Sequence, residues 1–276
     1  MIFGLPGGEV ALLAVGVLVG GAVTGLMAGL FGVGGGAIIV PVLYEIFRAL
    51  GVPEEVRIQL CVGTSLAIIV PTSLRSFVVH RASGALPVEI LKQWAIPVVI
   101  GVVLGSAIAA FAPAAAFKFF FVVLASLIAA KMLLGRENWR LGAELPGRTL
   151  MAAFGLFIGL YASLMGVGGG AVGTLILTLY GRSIHAAVAV SAGLGVLIST
   201  TGTIGFILAG LPRSDLLPPL SLGFVSLIGF VLMAPVTSFI APFGARLAHA
   251  LPKRQLEVAF GCFLLAVAIR FLFSLL

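Results

Sequence analysis

The strongest constraint on this chain is a succession of long apolar runs with almost nothing charged inside them. Ten can be traced, at approximately 10–31, 37–50, 57–80, 88–112, 114–134, 149–165, 171–182, 185–209, 217–241 and 255–276. A helix needs about 20 mainly apolar residues to cross a bilayer, and most of the runs approach or reach that length. The runs are continuous and do not alternate with period two, which favours spanning helices over a β-barrel. Of the 276 residues, 61% are hydrophobic and 9% charged, whereas a soluble domain carries about 25% charged residues. Sixteen Lys and Arg with nine Asp and Glu cannot solvate the surface of such a chain. A soluble globular domain, a disordered chain and a coiled coil are therefore excluded. The 37 glycines and 14 prolines are tolerated in membrane helices. The expected fold is an all-α polytopic membrane protein of about ten segments, the second and seventh short enough to be broken or re-entrant.

The net charge of +7 carries no nucleic-acid signal, because the basic residues stand singly between apolar runs without a basic face or aromatic ladder. They read as loop charges that orient the helices. Cys61 and Cys262 both fall inside apolar runs and form no disulfide framework. The first run follows Glu9 and is too long for the core of a cleavable signal, so it reads as the first span.

The chain repeats itself. Gly29-Leu30-Phe31-Gly32-Val33-Gly34-Gly35-Gly36-Ala37 matches Ser163-Leu164-Met165-Gly166-Val167-Gly168-Gly169-Gly170-Ala171, and Leu104-Gly105-Ser106 up to Pro113 matches Phe243-Gly244-Ala245 up to Pro252. A polar stretch at 135–148 separates the halves, 1–134 and 149–276, of what reads as one transport domain. Five segments per half is an odd number, so the second repeat is expected upside down relative to the first. With the N-terminus outside, the inner loops hold Arg81, Lys92, Lys131, Arg136, Arg140, Arg148, Arg182, Arg246, Lys253 and Arg254. The outer loops hold only Arg48, Arg57, Lys118, Arg213 and Arg270. That bias agrees with the positive-inside rule. Four spans per half would instead give parallel repeats, an alternative left open by the two short segments.

Gly32-Val33-Gly34-Gly35-Gly36-Ala37 and its copy from Gly166 formally match a dinucleotide fingerprint, but that motif needs a preceding strand, and here each copy follows a long apolar helix. Two readings remain. Glycines can simply let helices approach closely. Alternatively, Gly34, Gly35 and Gly36, with Gly168, Gly169 and Gly170, break the helix at depth and offer backbone N–H groups at the start of the next segment. A helix N-terminus is a ready anion site. Two such breaks at corresponding positions are the pattern of a transporter's central site, which favours the second reading.

The third segment places Thr64, Ile68, Pro71 and Arg75 on one helical stripe and Ser65, Thr72 and Ser76 on the adjacent one, with Ser73 nearby. Pro71 frees the carbonyl of Ala67. The paired segment carries Ser191, Ser199, Thr200, Thr201 and Thr203. Clustered hydroxyls are suited to holding an oxyanion loosely, although any one of them could equally bond helix to helix. Arg75 either faces the pathway, where its planar fork suits an oxyanion, or snorkels to the interface near His80. His80, His185 and His249 sit near segment ends and read as interfacial anchors rather than metal ligands. Glu45 and Glu89 could carry protons, but each is near a segment end.

The doubled GxGGG with Pro41 following it resembles the TauE/SafE family of sulfite exporters. Val62-Gly63-Thr64-Ser65-Leu66, Gly84, Gly210 and Ala241-Pro242-Phe243-Gly244-Ala245-Arg246 extend the resemblance over essentially the whole chain. The second repeat departs from it, with Val190-Ser191-Ala192-Gly193-Leu194 where a Gly-Thr-Ser would match the first. The resemblance implies a secondary transporter that exports a small sulfur oxyanion, sulfite or an organosulfonate, across the bacterial inner membrane. An anion channel and an importer of a sulfur compound are the alternatives. No catalytic residue, metal or cofactor is expected, and the partners are a small anion and the bilayer, with no nucleic acid. An intramembrane enzyme fits poorly: Asp215 is the only Asp, and the H-E-x-x-H, G-x-S-x-G and P-loop signatures are missing.

Overall fold

The computed structural model of the protein describes residues 18–26, 36–82, 86–134, 142, 144–250 and 253–274. Helices overlie every apolar run. They are α1 (18–26), α2 (Gly36–Ala49), α3 (Glu54–Ala82), α4 (Val88–Phe111), α5 (Ala114–Leu134), α6 (Arg148–Met165), α7 (Gly170–Leu179), α8 (Ile184–Gly210), α9 (Leu227–Ala250) and α10 (Lys253–Phe273). Five of these, α3, α4, α5, α6 and α8, are long and apolar enough to cross a membrane, and shorter apolar stretches lie in α9 and α10. The motif residues Gly29 to Gly35, Gly34 and Gly35 among them, and the first half of the polar linker lie outside the described residues.

The expectation for the ninth segment needs adjustment. Its helix starts at Leu227 rather than near residue 217. Residues 211–216 form a 3-10 turn, and Ser221–Leu222 pairs antiparallel with Val225–Ser226 in a short hairpin. Pro218 and Pro219 explain the difference, since neither offers the N–H a helix needs.

Helices in lipid pack through small residues, because burying apolar surface against another helix gains little over burying it against lipid tails. The α4–α6 contact follows that rule. Gly101 and Gly105 on α4 face Gly155 and Gly159 on α6, four residues apart in each case. A Cβ at Gly101 would lie 2.2 Å from Leu156 O, and one at Gly159 would lie 2.1 Å from Val98 O. Elsewhere α3 packs on α8, α4 on α8, α5 on α10, α2 on α3 and α7 on α8. Gly21 and Gly25 of α1 face Met233, Val236 and Thr237 of α9.

Near the start of α3 a polar cluster closes one end of the molecule. The Lys118 ammonium, only 2% exposed, donates to Glu54 and lies 5.5 Å from the Tyr44 ring, which Arg57 approaches to 5.3 Å. Tyr44, Phe271 and Phe121 continue inward as two edge-to-face contacts. Removing one partner of a buried charge strands the other. Glu54→Gln should therefore lower stability by about 1–3 kcal/mol, and Glu54→Gln with Lys118→Met should recover most of it. Thermal unfolding of the purified protein in detergent measures both.

Candidate functional site

The two glycine motifs meet. α6 ends at Met165, and the chain then unwinds through Gly166 to Gly169 before α7 starts at Gly170. Gly166 and Gly169 have φ of 67° and 69°, the left-handed region that glycine enters without strain. Val167 N donates to Ala162 O, closing the end of α6, and the first α7 bond runs from Gly173 N to Gly169 O. The amides of Gly170 to Val172 precede that bond, so they have no acceptor within the helix. Gly36, the first residue of α2, lies directly against this stretch. A Cβ there would be 2.1 Å from Gly166 O, 2.7 Å from Val167 Cα and 2.9 Å from Ile69 Cδ1. Only a residue without a side chain permits that approach.

α3 and α8 complete the site. α3 has 29 residues, so it is about 43 Å long, and its midpoint falls between Ser65 and Ser73. Buried Ser65 donates to Gly166 O at 2.8 Å, satisfying a carbonyl of the unwound stretch. Ser73 and Ser199, on α3 and α8, share a hydrogen bond of 3.3 Å. Gly195 of α8 brings the same elements together, since a Cβ there would lie 3.2 Å from Ser73 Cβ and 3.5 Å from Gly168 O. Thr64 faces away from the breaks and accepts from Ser226 N of the hairpin at 2.9 Å.

The sequence-derived candidates thus divide. Gly36, Ser65, Ser73, Gly168, Gly169 and Ser199 converge, and Gly170 opens α7 beside them. Ser191 lies further along α8, bonded to Thr174 of α7 at 2.9 Å. Thr72 is partly buried and donates to Ile69 O of its own helix. Thr201 is partly buried, whereas Thr200 and Arg75 lie on the protein surface. Arg75 makes no hydrogen bond or ion pair among the described residues.

Sequence reasoning missed two groups. Ile69 lies beside both Gly36 and Gly168, and Ile198 lies 2.3 Å from where a Cβ on Gly169 would sit; one apolar residue among many in a span gives no local signal. The hairpin is the second. Phe224 is fully buried and its N–H donates to Phe206 O, while its carbonyl lies 2.1 Å from a Cβ placed on Gly63. Gly63 and Gly210 were visible as motif glycines, and both serve this contact. Among the described residues no three His, Cys, Asp or Glu side chains come together as a metal site requires.

The family model described as "Sulfite exporter TauE/SafE" matches residues 17–271. A "Probable membrane transporter protein" of Haemophilus influenzae is 31% identical over 250 residues, covering 90% of this chain and 94% of the relative. A protein of Methanocaldococcus jannaschii, also described as a probable membrane transporter, is 25% identical over 257 residues, covering 91% and 92%. No solved structure matches the chain.

Proposed function

Since the chain belongs to the TauE/SafE sulfite exporter family and is a multi-pass membrane transporter, we propose that it exports a small sulfur oxyanion, sulfite or an organosulfonate, across the bacterial inner membrane by alternating access. One observation carries the reading: Gly36, at the start of α2, meets the unwound stretch Gly166 to Gly169 where α3 and α8 share a hydroxyl contact. Donors come from both halves of the chain, namely Ser65 and Ser73 from the first, and Ser199 with the free amides of α7 from the second. An N-terminal helix end supplies about half a positive charge, and hydroxyl and amide donors hold an oxyanion without binding it irreversibly. In the described state Ser65 is held by Gly166 O, and Ser73 and Ser199 share a hydrogen bond. Separation of α3 from α8 turns both toward the anion.

The architecture we propose has two inverted five-segment repeats, 1–134 and 149–276. Packing supports it: α1 lies on α9 as α6 lies on α4, α2 on α3 as α7 on α8, and α3 and α5 meet their own counterparts α8 and α10. α2 and α7 are short helices of 14 and 10 residues, too short to span the bilayer alone. Single-cysteine variants in a background lacking Cys61 and Cys262 test the topology. Position 138 should react with an impermeant maleimide only from the cytoplasmic side; labelling from the periplasm would reverse the assignment.

The site is tested by transport. Ser73→Ala and Ser199→Ala should each raise KM about tenfold, the size of one lost hydrogen bond to a charged group. Counterflow of labelled sulfite in proteoliposomes measures the change. Counterflow itself distinguishes a carrier from a channel, and unchanged KM in both variants would move the site elsewhere.

A further inference from the structure

At the end of the molecule that holds Glu45, α2 and α10 stand apart. α2 packs on α3 and α10 on α5. Among the described residues, the Tyr44–Phe271 edge contact and a Glu45–Arg270 ion pair of 3.0 Å connect them. The gap beside that bridge is a groove of about 560 Å³. Its walls are Pro41, Val42 and Ile46 from α2, with Phe263, Val267 and Phe271 from α10. Arg270 lies near the end of α10, and Phe263 about 10 Å below it along the helix axis. The groove therefore runs from the headgroup level into the hydrocarbon region.

Such a space suits water poorly, because a water there needs two to four polar partners and the described walls below the ion pair are apolar. Open to the bilayer and apolar, it suits an acyl chain. The mouth selects the headgroup. Glu45 accepts from Arg48 at 3.3 Å and forms an ion pair with Arg270 at 3.0 Å. Two guanidinium groups share one carboxylate and leave one positive charge uncompensated. All three side chains are about half exposed, so their remaining N–H groups face the headgroup layer. An arginine fork is the side chain best matched to phosphate oxygens.

We propose that this groove is a binding site for one anionic phospholipid. An acyl chain lies between α2 and α10, and the phosphate sits on Arg270 and Arg48. Phosphatidylglycerol, with one net negative charge, matches the mouth. A zwitterionic lipid places a second cation beside the two arginines and is held less well.

Native mass spectrometry of the delipidated full-length protein, titrated with phosphatidylglycerol, phosphatidylethanolamine and phosphatidylcholine, tests this. One phosphatidylglycerol should bind in preference to the other two. Arg270→Gln should weaken it about fivefold, the value of one basic residue near a membrane surface. Glu45→Gln should strengthen it by a similar factor, because the mouth then carries two uncompensated charges. Ala266→Trp, which fills the groove at a position lining it, should remove tight binding of all three lipids. Equal binding of the three lipids overturns the proposal, as does a Glu45→Gln variant that binds no better than the parent. Displacement of phosphatidylglycerol by excess inorganic phosphate also overturns it, since the site would then hold the anion and not the lipid. If Ala266→Trp fails to insert, the two charge variants, which change only half-exposed side chains, still decide.

Discussion

Gly36→Val should abolish transport, and Gly169→Leu should come close to it. At Gly36 the added carbon meets backbone, Gly166 O at 2.1 Å and Val167 Cα at 2.7 Å, so no rotamer change relieves the clash. Overpacking typically costs about 1–3 kcal/mol, and a backbone-to-backbone clash lies at the upper end or beyond. The strain falls on the junction of α2 with the unwound stretch before α7, where the proposed site lies. At Gly169 the neighbour is the tip of Ile198, which can turn, but φ of 69° strains any side chain. Gly147 serves as a control: a Cβ there meets nothing within 4 Å, and its φ of −57° suits any residue. Gly147→Ala should transport like the parent. Counterflow in proteoliposomes, normalised to protein that elutes as a single species in detergent, measures all three. Parental rates in Gly36→Val would mean that Gly36 does not pack on Gly166 and Val167 as described.

The distribution of helices was legible in the sequence because the bilayer imposes it. A run of apolar residues in lipid has little choice but a helix, and among the described residues α2 to α8 and α10 start and end within a few residues of their runs. The exception was residue 217 onward. There hydropathy was continuous, but Pro218, Pro219 and Gly223 favoured a turn and hairpin over a helix. In the second glycine motif the break lies where Gly166 and Gly169 take up the left-handed backbone that glycine enters without strain. That the two copies touch could not be read, since nothing local in Gly36 names Gly166 as its neighbour. The hydroxyls show the same limit. Helical stripes placed Thr64 and Arg75 together on one face, but which face meets α8 depends on the partner. The structure turns Ser73 toward Ser199 and Thr64 toward the hairpin, and leaves Arg75 at the surface.

Export should follow the membrane potential and ignore an imposed pH gradient. An inside-negative potential drives an anion outward by about 2.3 kcal/mol per charge per 100 mV, close to a fiftyfold ratio for a monovalent anion. A proton-coupled mechanism needs a carboxylate or histidine that faces the anion's path. Glu45 is half exposed at the end of α2 and held by Arg48 and Arg270. Glu89 is largely exposed, beside Lys92 at the start of α4. Glu54 and Glu55 lie in the first turn of α3, and Asp215 lies on the exposed 3-10 turn. Among the described residues, then, no carboxylate reaches the level of Ser73 and Ser199, and the donors there are hydroxyls and amides that do not titrate. Proteoliposomes with a potassium diffusion potential should release sulfite or a sulfonate at a rate set by voltage, with the rate unchanged when a pH step is imposed at constant potential. Flux that tracks the pH step and not the voltage would place a proton carrier in the pathway. Glu45→Gln and Glu89→Gln then identify it, whereas under uncoupled export both variants keep the parent's voltage dependence.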